Sequence, residues 1–481
     1  MMTKKGDCSN ETPDPPIFPP NLPRCKSPKC CNKPEKLPSR GLIGPKDYKN
    51  EPKDRSKLLR INSLMPFQGE PPAPVLLETY LTPNEIFYTC NHGPVGVLVD
   101  PFMYELDISG LLPKPTTFYQ DAIHAMPKSR VPVTLMCAAN RRTDMHQKKK
   151  LLEVPWGNAA LGTAIWGGVR LADLLKMQGI PYRTLETDEG GRHVEFISVD
   201  YMKDAPDEPY KSSIPLIHAT TPRADVLLAY EMNYEEITRD HGYPFRVIIP
   251  GVIGARSVKW LKEIRISKDE CQGFYMQKYF KHYPPHLSLD PPWVTKVDWY
   301  SRRPLMEFPV QSSICIPQDG LMIPKGATVT IRGYAIAGGG RAIDRVDVSV
   351  DGGRSWEDAE RRQGSFPVPR PPCPCCGTVP PKVEIFDPFE ADGKAACLKD
   401  PQLLRWTWVF WELVAKVNPP TEIIVKAVDS AGNVQPQDMD HVWNFRGVNN
   451  TCWHRVKVKL KMPEDKGKPC FCQCHKPICG V

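Results

Sequence analysis

The chain has 481 residues, with 63 Lys and Arg against 55 Asp and Glu and a formal net charge of +8. That length buries a large core and divides into two or three domains, and the charge suits an anionic substrate or cofactor. No basic run alternates with aromatics as in a single-strand binder, and the apolar run Val247-Ile-Ile-Pro-Gly-Val-Ile is too short and broken to span a bilayer, so neither nucleic acid nor membrane is expected as a partner.

In chain order, residues 1–72 are rich in Pro, Lys, Asn and Asp and poor in aliphatics, the composition of a disordered tail. The start, Met1-Met-Thr-Lys-Lys-Gly-Asp-Cys, lacks the apolar core of a secretory signal and is not Arg-rich like a transit peptide. Cys8, Cys25, Cys30 and Cys31 lie in this tail, Cys373, Cys375, Cys376 and Cys397 in an insert, and Cys470, Cys472, Cys474 and Cys479 at the C-terminal end. Such clusters bind zinc, cross-link chains or stay reduced, and none shows two well-spaced ligand pairs joined by a foldable segment, which counts against zinc.

Residues 73–302 read as an α+β domain. Val131, Val133 and Leu135 alternate as in a half-buried strand. The strand should end at Cys137-Ala-Ala-Asn140-Arg141-Arg142, which sets one thiol beside two guanidinium groups. A thiolate stabilised by Arg charge is both nucleophile and soft metal ligand, whereas a lone Cys is otherwise a small buried hydrophobe. Leu171, Leu174 and Leu175 fall on one helical face, with Gly179 and Pro181 as the stop. Strands are expected at His193–Val199, Phe245–Pro250 and Val258–Ile266.

From 303 to 462 the hydrophobic period is two. Ala327–Tyr334, Val346–Val350, Trp406–Trp411 and Glu422–Val428 read as short strands separated by turns at Asp351-Gly-Gly and Asp429-Ser-Ala-Gly-Asn, which predicts an immunoglobulin-like β-sandwich. A Cys/Pro-rich insert near 363–401, with Pro371-Pro-Cys-Pro-Cys-Cys, interrupts it, and 463–481 form a Cys-rich tail. Gly338-Gly-Gly-Arg341 has no helix after it, so it reads as a corner between strands and not as a phosphate loop.

The thiol motif resembles the molybdenum-binding motif of the sulfite oxidase family. The resemblance extends through Trp156-Gly-Asn-Ala-Ala-Leu-Gly-Thr-Ala-Ile-Trp, Leu227-Leu-Ala-Tyr-Glu-Met-Asn, Arg239-Asp-His-Gly-Tyr-Pro, Pro250-Gly-Val-Ile-Gly-Ala-Arg-Ser-Val-Lys-Trp and Trp443-Asn-Phe-Arg-Gly-Val, over about Pro83 to Lys461. It implies an α+β molybdopterin-binding domain followed by an immunoglobulin-like dimerisation domain, hence a homodimer. It also implies a molybdenum-cofactor (Mo-molybdopterin) oxidoreductase that converts sulfite to sulfate. The His-Pro-Gly-Gly stretch of the family's cytochrome b5 module does not occur here, so no haem is expected in this chain and electrons should pass to an external acceptor such as a cytochrome. The family implies a mitochondrial location, but no presequence is visible, so the cytoplasm stays open.

By the same resemblance Cys137 is the metal's protein sulfur, and Arg142, Trp156 and Arg446 join it as catalytic residues. Tyr88, Thr89, Asn91, His92, Asp200, His241, Arg246, Ser257, Val258 and Lys259 match cofactor contacts. Two positions depart from the pattern: Cys90 stands where the family has Arg, and Phe280, with Tyr279 beside it, where the family has Tyr. One charge-assisted hydrogen bond is worth about 1.5–3 kcal/mol, or roughly tenfold to a hundred-and-fiftyfold in rate. Alongside the oxidase reading stand a catalytically weakened or inactive paralogue that binds through its Cys-rich tails, and an enzyme for another small nitrogen or sulfur oxide.

Overall fold

The computed structural model describes residues 41–287, 297–364 and 404–461. The strand expected before the thiol is Ser129–Met136, paired antiparallel with Leu161–Arg170. That strand pairs with Leu227–Met232, on which Glu235–Glu236 and Arg246–Ile248 also pair. The helix Leu171–Met177 follows at once, burying Leu171, Leu174 and Leu175, and the chain leaves it through Gly179 at φ +90°, a left-handed conformation that Gly adopts without steric cost. A second sheet runs in the order Pro209–Pro215, His193–Tyr201, Leu261–Ser267, Glu105–Gly110, Thr116–Tyr119.

Three expectations are corrected here. The tail predicted to reach residue 72 is folded from Gly41 onward: Leu42–Ile43 pairs with Val97–Leu98, and Arg60–Leu64 and Phe67–Glu70 form a sheet with Thr89–Cys90. Arg55 explains how so polar a segment is retained, since it pairs with Glu51 at 2.5 Å and Asp240 at 2.7 Å and lies over the Phe67 ring at 3.8 Å. The strand predicted from Val258 begins only at Leu261, because Trp260 takes φ +48° and breaks the extended run. The strand predicted from Trp406 begins at Val409.

Residues 406–408 instead strap the two domains together. The Thr134 N–H donates to the Trp406 carbonyl at 3.0 Å, and the Trp408 N–H to the Thr134 hydroxyl at 2.9 Å. The Trp406 indole N–H donates to Asp225 at 2.9 Å and the Tyr80 hydroxyl to the Trp408 carbonyl at 2.9 Å. Val131 through Met136 are consequently buried on both faces, where alternation alone predicted one.

The second domain is a sandwich. One sheet is ordered Gln311–Ile316, Ala327–Ile336, Val409–Val417, Glu360–Arg362, and the other Leu321–Ile323, His454–Leu460, Thr421–Asp429, Ile343–Ser349, Glu357–Asp358. Between them Ile331, Val346, Trp411, Ile423 and Val456 form one core. Gly338–Arg341 is the corner between Ala327–Ile336 and Ile343–Ser349, with Arg341 paired to Glu307 and Asp429. Nearly all of the 363–401 insert, the 463–481 tail and the first 40 residues, with their cysteine clusters, lie outside the described residues. Among the described residues no helix is long and apolar enough to cross a membrane.

Candidate cofactor and anion site

Cys137 begins the turn that follows Ser129–Met136, and both domains clamp that turn. The Cys137 N–H donates to the Ala160 carbonyl at 2.9 Å, and the Asn449 N–H donates to the Ala138 carbonyl at 2.7 Å. The Asn140 amide reaches the sandwich, donating to the Tyr334 hydroxyl at 2.9 Å and to Gln311 at 3.3 Å. The Cys137 thiol is held below its ordinary pKa, first by a hydrogen bond from Cys90, then, against burial, by the Ala139 N–H and the Arg142 charge. The Cys90 thiol is pushed well above its ordinary value by the same contact and by burial. Of the two thiols Cys137 is therefore the more readily ionised.

The two guanidinium groups of the motif part company. Arg142 bends back toward the site, its Nε donating to the Gly447 carbonyl and its Nη1 to the Val154 carbonyl, each at 3.1 Å. Arg141, at φ +64°, points away and donates to the carbonyls of Ser312, Cys452 and Trp453 in the sandwich. Only one of the two supports the thiolate electrostatically.

On one side of Cys137 opens a pocket. It gathers Tyr88, Thr89, His92, Asp200, His241, Arg246, Ser257, Val258 and Lys259 from the residues anticipated, together with Cys90 and Phe280. Asn91 lies behind this wall, fully buried, accepting from the Lys259 ammonium and donating to Asp240 at 3.2 Å. Burial pushes Lys259 down to about 8 and His241 down to about 4, and raises Asp200 to about 6. His92 is pushed down to about 3, chiefly by burial, and its ring stacks on Tyr210 at 5.2 Å. The Nε of Arg246 and the Oδ1 of Asp200 are buried with no hydrogen-bond partner, which in a cavity of this polarity marks groups that wait for a ligand.

Arg142, Trp156 and Arg446 are not part of that wall: the Arg142 charge acts on Cys137, Trp156 packs on Tyr88, and Arg446 lies with Tyr279 and Glu153. Trp156 is buried with its ring edge-on to Tyr88 at 6.3 Å. Arg446 sits over the Tyr279 ring at 4.6 Å, and its Nε is buried without a partner. Two residues that sequence reasoning did not place complete this side. The Tyr279 hydroxyl donates to Glu153 Oε2 at 2.6 Å, and Arg446 Nη1 donates to Glu153 Oε1 at 2.9 Å. Burial holds the Tyr279 phenol far above the physiological range, so it remains a neutral donor. Nothing in the local sequence marks Glu153, one carboxylate after a run of lysines, and Tyr279 was legible only as the neighbour of Phe280.

Residues 92–275 match the oxidoreductase molybdopterin binding domain and residues 302–461 the Mo-co oxidoreductase dimerisation domain. A sulfite oxidase from Arabidopsis thaliana is 46% identical over 420 residues, spanning 87% of this chain and 98% of that protein. The chain belongs to the sulfite oxidase family. A sulfite oxidase from Gallus gallus is 41% identical over 400 residues, 82% of this chain and 77% of that protein. The sulfane dehydrogenase SoxCD of Paracoccus pantotrophus, at 20% identity, shares the fold with a TM-score of 0.60 over 85% of this chain and 90% of that one.

Like its family, this chain is a molybdenum-cofactor oxidoreductase with a dimerisation domain. The donor set fits that cofactor. Among the described residues no group of three His, Cys, Asp or Glu side chains could hold a bare metal ion, so a metal at Cys137 needs a carrier that brings further ligands. Arg246, Lys259, Ser257 and His241 could hold the phosphate of a pterin, and the unpartnered Arg246 Nε is a donor free for it.

Proposed function

We propose that this sulfite-oxidase-type enzyme oxidises sulfite to sulfate, with Cys137 as the metal's protein sulfur and with electrons passed to an external acceptor. The observation that carries this reading is the arrangement about Cys137: a cavity of buried cationic donors opening beside it, and the Arg142 charge acting on it, with Tyr279 between Arg142 and Arg446. When bound, the cofactor supplies a metal that accepts two electrons from the substrate. The chain's own share is electrostatic. Arg142 and Arg446 attract and orient a small anion, the Tyr279 phenol donates to Glu153 and so braces the carboxylate that pairs with Arg446, and the buried Trp156 excludes water. Homodimers form through the sandwich domain. Protein from a host that makes the pterin should carry about one molybdenum per chain and turn over sulfite with a one-electron acceptor such as ferricyanide; well-folded, metal-loaded protein without turnover sinks the substrate assignment.

The departures at Cys90 and Phe280 leave the site one guanidinium and one pocket phenol poorer than the family pattern. Phe280 packs its ring against His92 at 6.1 Å, so the Tyr279 hydroxyl, bound to Glu153, does not occupy the same place. The double variant Cys90→Arg, Phe280→Tyr should raise kcat/KM for sulfite by about tenfold or more, the worth of a single charge-assisted hydrogen bond. Unaltered turnover at equal molybdenum content removes this account of the pocket. The non-catalytic reading gains no support, since relatives across most of the chain are named sulfite oxidase and the cysteine clusters on which it relied lie outside the described residues.

A further inference from the structure

Resting on Cys137 as the metal's sulfur, we infer that Glu70 is a positioning residue for that sulfur, and that its buried carboxylate holds the metal's reduction potential lower than an uncharged side chain would. Glu70 ends the strand Phe67–Glu70 and is 2% exposed. Its Oε1 accepts from the Gly157 N–H at 2.7 Å and from the Asn62 amide at 3.0 Å, and its Oε2 accepts from the Ala159 N–H at 3.2 Å. The fit is close, since a Cβ on Gly157 would stand only 3.2 Å from Oε1.

What Glu70 holds is the backing of the thiol turn. The Trp156 carbonyl accepts from the Thr143 N–H at 2.9 Å, that of Gly157 from the Arg141 N–H at 2.6 Å, and that of Ala160 from the Cys137 N–H at 2.9 Å. The Ala160 N–H donates to the Asn140 side chain at 3.2 Å. The carboxylate is thus joined to the thiol turn through one strip of backbone, and its charge acts on Cys137 against that of Arg142. Its counter-ion Arg60 reaches only to 3.4 Å, and with a side chain 57% exposed it compensates the charge weakly. A negative charge behind the sulfur makes the sulfur a stronger donor and opposes the arrival of electrons at the metal. The sign needs no sum over the pocket, because a substitution changes this one charge and leaves Arg142, Arg246, Lys259 and Asp200 as they are.

The test is a reductive titration of the molybdenum-loaded protein with dithionite and redox mediators, without sulfite, following the metal by paramagnetic resonance. Glu70→Gln should make the first reduction about tenfold more favourable, the order of one nearby charge, or a rise of about 59 mV for one electron. Arg60→Gln should move the potential the other way by about twofold, since it bares the carboxylate's charge yet leaves intact the backbone bonds that Glu70 makes. A merely structural clamp gives no such opposed pair. An unchanged potential in folded Glu70→Gln overturns the inference. If that chain does not fold, an unchanged potential in Arg60→Gln overturns it, the surface position of Arg60 sparing the fold. Shifted potentials in protein that leaves sulfite untouched support the inference and sink the sulfite reading; unshifted potentials in protein that oxidises sulfite do the reverse.

Discussion

A Cys137→Ser chain should fold and pair as the parent does, yet lose sulfite turnover by about a thousandfold or more, well beyond the tenfold to hundredfold cost of altering a mere supporting contact. Folding survives because the substitution is nearly isosteric and the turn is held by backbone: Cys137 N–H to Ala160, Asn140 N–H to the Cys137 carbonyl at 3.0 Å, and Asn449 N–H to Ala138. Chemistry fails because a serine hydroxyl does not ionise at neutral pH and is a hard ligand, whereas the thiol here is already biased toward its anion by Cys90, the Ala139 N–H and Arg142. The residues proposed to hold the pterin phosphate are untouched, so pterin content should stay near that of the parent while turnover disappears. Turnover within tenfold of the parent's would mean that the sulfur is dispensable.

Arg141→Ala should do the reverse, lowering stability by about 3–5 kcal/mol, the cost of removing one partner from a buried charged network, while metal content of the folded fraction is preserved. Arg141 is 1% exposed. It reaches the Cys452 carbonyl at 2.7 Å, Ser312 at 3.3 Å and Trp453 at 3.4 Å, and its Nε pairs with Asp144 at 3.0 Å. Alanine strands these carbonyls without donors in a buried seam between the domains. The urea midpoint, compared at equal cofactor loading, measures the loss. A change below about 1 kcal/mol, the ordinary size for a substitution, would mean that the seam does not depend on this side chain.

Much of the architecture was legible because it is written in short-range period. The helix Leu171–Met177 with its Gly179 stop, the period-two strands of the sandwich and the Gly338–Arg341 corner each declare themselves within a dozen residues. The thiol at a strand end was equally local, and its placement beside Arg142 followed from spacing. What local pattern could not see is burial imposed from elsewhere. Val131–Met136 lost its exposed face to residues 406–408, and the polar segment from Gly41 was retained by Arg55 reaching Asp240.

The sequence by itself therefore determined the fold class and the family, and it singled out the sulfur proposed to meet the metal. Only the tertiary structure decided which of two adjacent guanidinium groups serves the site and which braces the domains, because successive side chains in a turn diverge and spacing does not say where each ends. It alone also brought Glu153 to Tyr279, 126 residues on, and to Arg446, 293 residues on. A charge on its own in sequence is a solvated face; its sign matters to the site only when folding desolvates it beside its partners.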